Sequence, residues 1–398
     1  MSIKRPGVRV ASLLALLLTM ALPTGLAMAQ EPVLISAEIP VIGQADITDG
    51  ASLGDTITVK MSSIPAPAAG TAFEGWLITD DGSAKLSIGV ITVAADNTTN
   101  HVFVSPDGEN LIANYNKLVI TVEPLLDTDP EPSGVVVASD RILLAGATHV
   151  RHLFVSWPPG AENGILTNLK AQLQLAIDHV ELAINATTLE EAQLHTHHAI
   201  NIIEGPNGAN FDASFGNPGD GLGVLLHVED RKHAIFASDE LHWWNGSGEV
   251  VVASAGNAGE RAMAAVDQAL VALGQSSLFA TKLNLNPTLG LLSSALHGVD
   301  LNGNGAIDTR FVDSSSNADF ETGEGGADQA YERGLGLASY NLTAGGLEPV
   351  GPELGIGLSN AGDESVASMA MMALAGALVL IVGGGAMVLR TRRVKNDQ

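Results

Sequence analysis

The chain has 398 residues, a formal net charge of −25 at pH 7, no cysteine and a hydrophobic fraction of 46%. A surface this acidic repels phosphate backbones, which argues against a nucleic-acid partner and favours the binding of cations. The absence of cysteine excludes disulfides, thiolate metal sites and cysteine nucleophiles, so stability depends on a buried core.

The N-terminal end has the layout of a secretory signal peptide. A basic start is followed by an apolar run from Val10 to Leu22, and the small-residue sequence Ala27-Met28-Ala29 is typical of a cleavage site. We therefore expect residues 1–29 to be a signal peptide and the exported chain to begin near Gln30.

A second apolar segment lies near the C-terminus. Residues 366–389 carry no charge and would span about 36 Å as a helix, enough to cross a hydrocarbon core of about 30 Å. Basic residues follow it and favour a cytoplasmic tail at 390–398. The sequence therefore predicts a single-pass cell-membrane protein with its N-terminal ectodomain outside and its C-terminus in the cytoplasm.

The first part of the exported chain has the pattern of β structure. Residues 56–61 alternate between polar and apolar, and short apolar runs follow at 73–79, 86–93 and 117–122, each bounded by turn-forming residues. Short strands at such regular spacing are typical of a β-sandwich, which we place at residues 30–140.

Helical periodicity replaces this pattern further along the chain. Apolar residues recur at helical spacing over 166–184 and 189–203, where Thr187 or Thr188 can cap the second helix and Gly205 can end it. Two more helices are predicted, at 249–273 and 327–339.

These helices predict a bundle domain at 141–342, with long insertions at 206–238 and 284–326, followed by a stalk at 343–365. The predicted fold class is thus a multidomain α+β protein with an N-terminal β-sandwich, a helical bundle and one C-terminal transmembrane helix.

The β region resembles the extracytoplasmic domain of the anti-sigma-K factor family over residues 50–137. The matching segments are a strand ending in a proline turn, an aromatic-x-x-Trp strand, a Ser-x-Gly-Val strand, a Val-Thr-x-Glu-Pro-type strand end and a Pro-Ser-Gly turn. In this chain they are Ile64-Pro65, Phe73-Glu74-Gly75-Trp76-Leu77-Ile78, Ser87-Ile88-Gly89-Val90, Ile120-Thr121-Val122-Glu123-Pro124 and Pro132-Ser133-Gly134.

The order of segments differs from that family, in which a cytoplasmic sigma-binding domain precedes the membrane helix. Here the predicted cytoplasmic tail is too short to bury the roughly 1,200 Å² that a specific protein interface needs. The resemblance therefore implies a β module for sensing or interaction, and it does not imply sigma-factor inhibition.

A calcium-loop pattern occurs between the last two predicted helices. Asp300, Asn302, Asn304 and Asp308 supply oxygen side chains at loop positions 1, 3, 5 and 9, and position 7 is Ala306, which can offer its carbonyl. Position 12 lacks the usual glutamate, so the remaining carboxylate must come from Asp313, Glu321 or Glu324; we select Glu324. Calcium is the predicted cofactor, and the alternative is an Asn-Gly turn that binds no ion.

Histidines form a second candidate constellation. His179 on the first bundle helix and His195 and His198 on the second flank the apolar faces, so three imidazoles can meet in the helical hairpin. This spacing is suitable for a transition metal or a haem. The alternative is a set of interfacial histidines held by ordinary hydrogen bonds.

The sequence contains no phosphate loop and no dinucleotide fingerprint. We therefore predict a surface-anchored, non-enzymatic protein for binding or envelope sensing, whose partner is an extracytoplasmic protein or a small ligand. The alternative function is that of an exported metal- or haem-binding protein.

Overall fold

The computed structural model describes residues 40–125, 129–241, 246–309 and 323–347. All of these residues belong to one compact unit. An antiparallel sheet and a set of helices share a continuous hydrophobic core. This core runs from sheet residues such as Ile57 and Leu118 to helix residues such as Leu169 and Ala262.

Eight strands form a single antiparallel sheet in the order β4-β3-β6-β7-β8-β1-β2-β5. The alternation that predicts β2 is visible in the structure, because Ile57, Val59 and Met61 are buried whereas Lys60 between them is exposed. The strands are β1 (Val41–Thr48), β2 (Thr56–Met61), β3 (Thr71–Thr79), β4 (Lys85–Ile91), β5 (Thr99–Val104), β6 (Tyr115–Pro124), β7 (Val136–Arg141) and β8 (Tyr340–Ala344).

The sheet curls until its two edge strands meet, so it is not a sandwich of two sheets. Nε2 of His101 in β5 lies 2.7 Å from the carbonyl oxygen of Ile88 in β4. Turn spacing in a sequence indicates how many strands there are, but it does not indicate whether they form one curled sheet or two packed sheets. The predicted β-sandwich is therefore wrong in its architecture, although the strands predicted within it are present.

Strand β8 comes from the far end of the described chain and completes the sheet. It pairs with β1, where Tyr340 lies opposite Ala45, and with β7, where Ala344 lies opposite Ala138. The side chain of Tyr340 is fully buried. The predicted fold class of separate β and helical domains is therefore wrong, because a strand that follows the helices belongs to the sheet that precedes them.

Three of the five segments that carry the family resemblance are joined by one chain of hydrogen bonds. Nε1 of Trp76 in β3 donates to the Thr121 hydroxyl in β6 at 2.9 Å, and this hydroxyl donates to the Glu123 carboxylate. The same carboxylate accepts the backbone N–H of Ser133 at 2.8 Å. The Trp strand, the Glu-Pro strand end and the Pro-Ser-Gly turn are therefore parts of one structural motif.

The structure confirms the predicted helical hairpin and the two helices that were predicted after it. Thr188 caps α4, since its hydroxyl accepts the backbone N–H of Glu191, and Gly205 ends it with a φ of 66°. The helices are α1 (Leu111–Asn114), α2 (Leu144–Phe154), α3 (Ile165–Asn185), α4 (Leu189–Glu204), α5 (Val224–Asp230), α6 (His233–Asp239), α7 (Ser247–Leu273), α8 (Leu278–His297) and α9 (Ala327–Leu335).

Helix α8 occupies the start of the segment that was predicted to be a long insertion from 284 to 326. Pro287 lies inside this helix and cannot donate a backbone hydrogen bond to Leu283. The side-chain amide of Asn286 donates to the Leu283 carbonyl instead, at 3.3 Å. The predicted start of the insertion at 284 is therefore wrong, because the helix continues to His297.

Across the four described ranges, no helix is both long and apolar enough to cross a membrane. The described residues therefore do not support the transmembrane helix of the predicted fold class. The prediction of a membrane protein is corrected on this point. Its segment at 366–389, the tail at 390–398 and the signal peptide at 1–29 lie outside the described residues.

Candidate metal-binding sites

The structure brings together the three histidines that were predicted as an alternative metal site. His195 and His198 are three residues apart on α4 and so share a face, while His179 approaches them from α3. One ligand atom from each lies within 4.8 Å of the others. Nδ1 of His179 and Nδ1 of His195 are 3.1 Å apart. We refer to these three residues as the α3–α4 histidine cluster.

The tautomer of His198 follows from its partner outside the cluster. Its Nε2 lies 2.8 Å from the backbone carbonyl oxygen of Phe215, which can only accept, so Nε2 carries the hydrogen. In the neutral ring Nδ1 then holds a lone pair. Nδ1 is buried and has no hydrogen-bond partner in the described structure. A carbonyl that fixes the outer nitrogen of an imidazole is the usual second contact of a metal-bound histidine.

Burial favours the neutral, metal-binding form of His179 and His195. Burial, together with the neighbouring imidazoles of His198 and His195, lowers the pKa of His179 to about 4. Burial, followed by His198, also lowers the pKa of His195. The carboxylates of Asp178 and Glu191 act against these shifts and add negative charge near the cluster. A divalent cation would be attracted by that charge.

The predicted calcium loop is closed by its own polar groups. The Asp300 carboxylate accepts the backbone N–H groups of Gly303 at 2.6 Å and Gly305 at 2.7 Å. The side-chain amides of Asn302 and Asn304 both donate to one carboxylate oxygen of Asp308, at 3.1 and 2.6 Å. The side chains of Asn302 and Asn304 therefore meet that of Asp308, whereas the Asp300 carboxylate accepts backbone N–H groups of the loop; Ala306 donates its N–H to the Asn304 side chain at 2.8 Å.

Glu324 contacts this loop from the short segment that immediately precedes α9. Its side chain is fully buried, and its two carboxylate oxygens accept the backbone N–H groups of Leu301 at 3.0 Å and Asp308 at 2.7 Å. The structure thus places Glu324 where a carboxylate can close the loop. The two other residues considered for that position, Asp313 and Glu321, lie outside the described residues.

Sequence reasoning missed a second group of three histidines, His149, His152 and His233, whose ligand atoms also lie within 4.8 Å of one another. The spacing His149-x-x-His152 is the same as that of His195 and His198, and this repetition was a usable signal. Its third member was not identified because His233 lies in a segment predicted to be an insertion, where the structure has the short helix α6.

The sheet, with its buried Trp-Thr-Glu motif, shares one core with a helical assembly that carries two histidine clusters. Residues 11–136 match the family model described as "Anti-sigma-K factor rskA, C-terminal". This confirms the resemblance predicted from residues 50–137: the chain carries an anti-sigma-K-factor-like domain. The match covers less than half of the chain and ends at the first residue of β7, before all of the candidate metal ligands. No curated protein and no solved structure gave a significant match.

Proposed function

We propose that this protein binds a divalent transition-metal ion, of the zinc class, through the α3–α4 histidine cluster. The convergence of three imidazoles from two helices, with the outer nitrogen of His198 already held by a carbonyl, carries the proposal. Zinc accepts three histidine nitrogens at about 2.0–2.1 Å and leaves a fourth position for water or another ligand.

The alternative of hydrogen-bonded interfacial histidines accounts less well for the contacts. A hydrogen bond between Nδ1 of His179 and Nδ1 of His195 satisfies two nitrogens, but it leaves Nδ1 of His198 buried and without a partner in the described structure. An unsatisfied buried acceptor costs about 1–3 kcal/mol. A metal ion that accepts all three lone pairs removes that cost.

A haem is less compatible with this arrangement than a single ion. A haem iron takes axial ligands on opposite faces of the porphyrin, so two imidazoles can bind it while the macrocycle lies between them. Three ligand atoms within 4.8 Å of one another leave no plane for that macrocycle. We therefore favour an ion as the ligand of this cluster.

The role proposed for the whole chain is binding or sensing rather than catalysis. The anti-sigma-K-factor-like domain supports a protein partner, and the net charge of −25 favours cations as ligands. A sequence without a phosphate loop and without a dinucleotide fingerprint is consistent with a non-enzymatic protein.

Metal titration of the chelator-treated protein tests the proposal. His195→Ala should lower the number of zinc ions bound by one relative to wild type, measured by calorimetry and by metal analysis after desalting. His297→Ala is the control, since this histidine lies at the exposed end of α8 and contacts Asp328. Equal zinc stoichiometry in wild type and His195→Ala would contradict the proposal.

A second candidate function is calcium binding at residues 300–308, and the buried carboxylate of Glu324 favours it. This carboxylate, which contacts the loop at Leu301 and Asp308, would supply the bidentate group that the loop lacks at position 12. The two asparagines reduce the ligand charge, so we expect a weak site of the kind found in extracellular modules.

Calcium should raise the unfolding midpoint of the wild-type protein more than magnesium does. Asp300→Ala and Glu324→Gln should each remove that difference. If calcium and magnesium give equal midpoints in wild type even at tens of millimolar, roughly ten times the weakest dissociation constants of such modules, the loop is a turn that binds no ion.

A further inference from the structure

Helices α2 and α6 bring together His149, His152 and His233, a group that the first metal site does not use. His149 and His152 share one face of α2, and His233 is the first residue of α6. Nδ1 of His233 lies 2.8 Å from Nδ1 of His149 and 3.2 Å from Nδ1 of His152. The side chain of His233 is fully buried. We refer to these residues as the α2–α6 histidine cluster.

Hydrogen bonding alone cannot satisfy these contacts. An imidazole nitrogen carries either one hydrogen or one lone pair. Nδ1 of His233 can therefore form one ordinary hydrogen bond, to His149 or to His152, but it approaches both. Around a tetrahedral metal with bonds of about 2.0–2.1 Å, ligand nitrogens lie about 3.3 Å apart. The spacing of 3.2 Å is close to that value, and the spacing of 2.8 Å is shorter, so the His149 and His233 rings would move apart slightly to admit an ion.

We propose that the α2–α6 histidine cluster is a second metal site, which binds an ion of the zinc and copper class through three neutral imidazoles. Imidazole is a preferred ligand of these ions, and no thiolate is available in a chain without cysteine. The site is independent of the α3–α4 histidine cluster, since it shares no residue and no helix with it.

Aromatic rings cover the cluster, and one of them is held in place by a hydrogen bond. The ring centroid of Trp157 lies 4.4 Å from that of His152 and 4.5 Å from that of His233, and Phe236 lies 5.2 Å from His149. Nε1 of Trp157 donates to Asp230 at 2.7 Å, which holds the indole in place. Burial lowers the pKa of His152 to about 4 and that of His233 to about 3, which keeps both rings neutral at pH 7.

The position of the cluster gives the ion a structural role. The guanidinium of Arg151, next to His152, forms a bidentate ion pair with Asp80 at 2.7 and 2.9 Å and so joins α2 to the end of β3. A metal held by α2 and α6 would fasten the segment between α4 and α7 to this helix. An ion in the α2–α6 histidine cluster would be covered by aromatic rings. It should therefore exchange more slowly than an ion in the half-buried α3–α4 histidine cluster.

Cobalt(II) provides the test, because tetrahedral cobalt absorbs visible light and a paramagnetic ion quenches a neighbouring indole. The experiment uses the full chain with the substitutions His195→Ala and His198→Ala. These two substitutions remove the α3–α4 histidine cluster. It should still bind one equivalent of cobalt, with tetrahedral visible bands and a loss of tryptophan fluorescence. Adding Trp157→Phe should remove that loss of fluorescence and leave the visible bands.

Adding His149→Gln, which changes a half-buried ligand, should weaken cobalt binding by at least about tenfold. Circular dichroism establishes that each variant is folded, and His152→Gln replaces His149→Gln if the latter is not. Absence of visible bands, or equal cobalt affinity with and without His149→Gln, would overturn the proposal. Because the α3–α4 cluster is absent from these variants, the result is separate from the test of the first site.

Discussion

Nε2 of His198 donates a 2.8 Å hydrogen bond to the carbonyl oxygen of Phe215, and this bond fixes which nitrogen of the ring can bind a metal. The carbonyl belongs to a short 3-10 helix, Ala213–Phe215, in the connection that follows α4. The metal-binding competence of the α3–α4 histidine cluster therefore depends on the conformation of a connection outside the helical hairpin.

Asn201 holds that connection in place, so Asn201→Ala should weaken metal binding. Its buried side-chain amide donates to the carbonyls of Asp212 at 2.8 Å and Gly216 at 2.6 Å, and its oxygen accepts the Asp212 N–H. Loss of such outer contacts typically lowers metal affinity about 10- to 100-fold. Zinc competition with a chromophoric chelator measures the effect.

The control for this experiment is Asn210→Ala. Asn210 lies in the same connection, but it is exposed and contacts only Glu204 among the hydrogen bonds described. Its replacement should leave zinc affinity within about twofold, well inside the range expected for loss of an outer contact. If both variants bind zinc as tightly as wild type, the Phe215 carbonyl does not orient His198.

Thr121→Val should destabilise the sheet by about 1–3 kcal/mol, because it leaves the buried Nε1–H of Trp76 without its acceptor. Valine has nearly the shape of threonine, so the change isolates the loss of the hydroxyl and of its hydrogen bonds with Trp76 and Glu123. Urea unfolding measures the loss of stability. Thr48→Val on the exposed side of β1 is the control and should change stability by less than about 0.5 kcal/mol. Equal effects of the two substitutions would contradict the motif.

Asp220→Asn should destabilise the protein at pH 7 and have less effect in acid. Burial acts to raise the pKa of Asp220, but the 2.6 Å contact with His227 and backbone N–H groups outweigh it, so the pKa lies below the ordinary value of 3.8. A lowered folded-state pKa gives stability that is present above the unfolded-state pKa. That stability is lost as the pH falls through the folded-state pKa.

Urea unfolding of wild type and Asp220→Asn at pH 7 and pH 3 measures this difference. The loss at pH 7 should be about 1.5–3 kcal/mol, as expected for a hydrogen bond to a charged group. A difference between the two proteins that is the same at both pH values would show that the Asp220 charge does not contribute.

Metal removal should lower the unfolding midpoint. An ion present at about 100 times its dissociation constant adds about 2.7 kcal/mol to the free energy of unfolding. Zinc should therefore raise the midpoint of chelator-treated wild type by more than that of His195→Ala, measured by differential scanning calorimetry. Identical zinc-induced shifts in the two proteins would indicate that zinc does not act through the α3–α4 cluster.

Local sequence patterns predicted much of the secondary structure but not how it assembles. The alternation in β2 and the threonine cap of α4 depend on neighbouring residues, and both were predictable. The pairing of β8 with β1 joins residues about 300 positions apart and buries Tyr340, and no local pattern encodes it. The five residues of β8 are too few for their own periodicity to be recognised.

The candidate sites show the same division. His195 and His198 share a helix face, so their proximity followed from spacing, and His179 followed from the hairpin. The α2–α6 cluster needed the position of α6, a helix of seven residues in a connection rich in glycine. Such a short helix depends on tertiary contacts for its stability, so its sequence alone does not reveal it.

The most direct test of the central claim is X-ray absorption spectroscopy at the zinc edge. His152→Gln loaded with one equivalent of zinc leaves the α3–α4 histidine cluster as the complete site. The account predicts a first shell at about 2.0–2.1 Å that includes three imidazoles, recognised by the outer-shell scattering of their rings. A shell of oxygen or nitrogen atoms with no imidazole scattering would contradict metal binding by His179, His195 and His198.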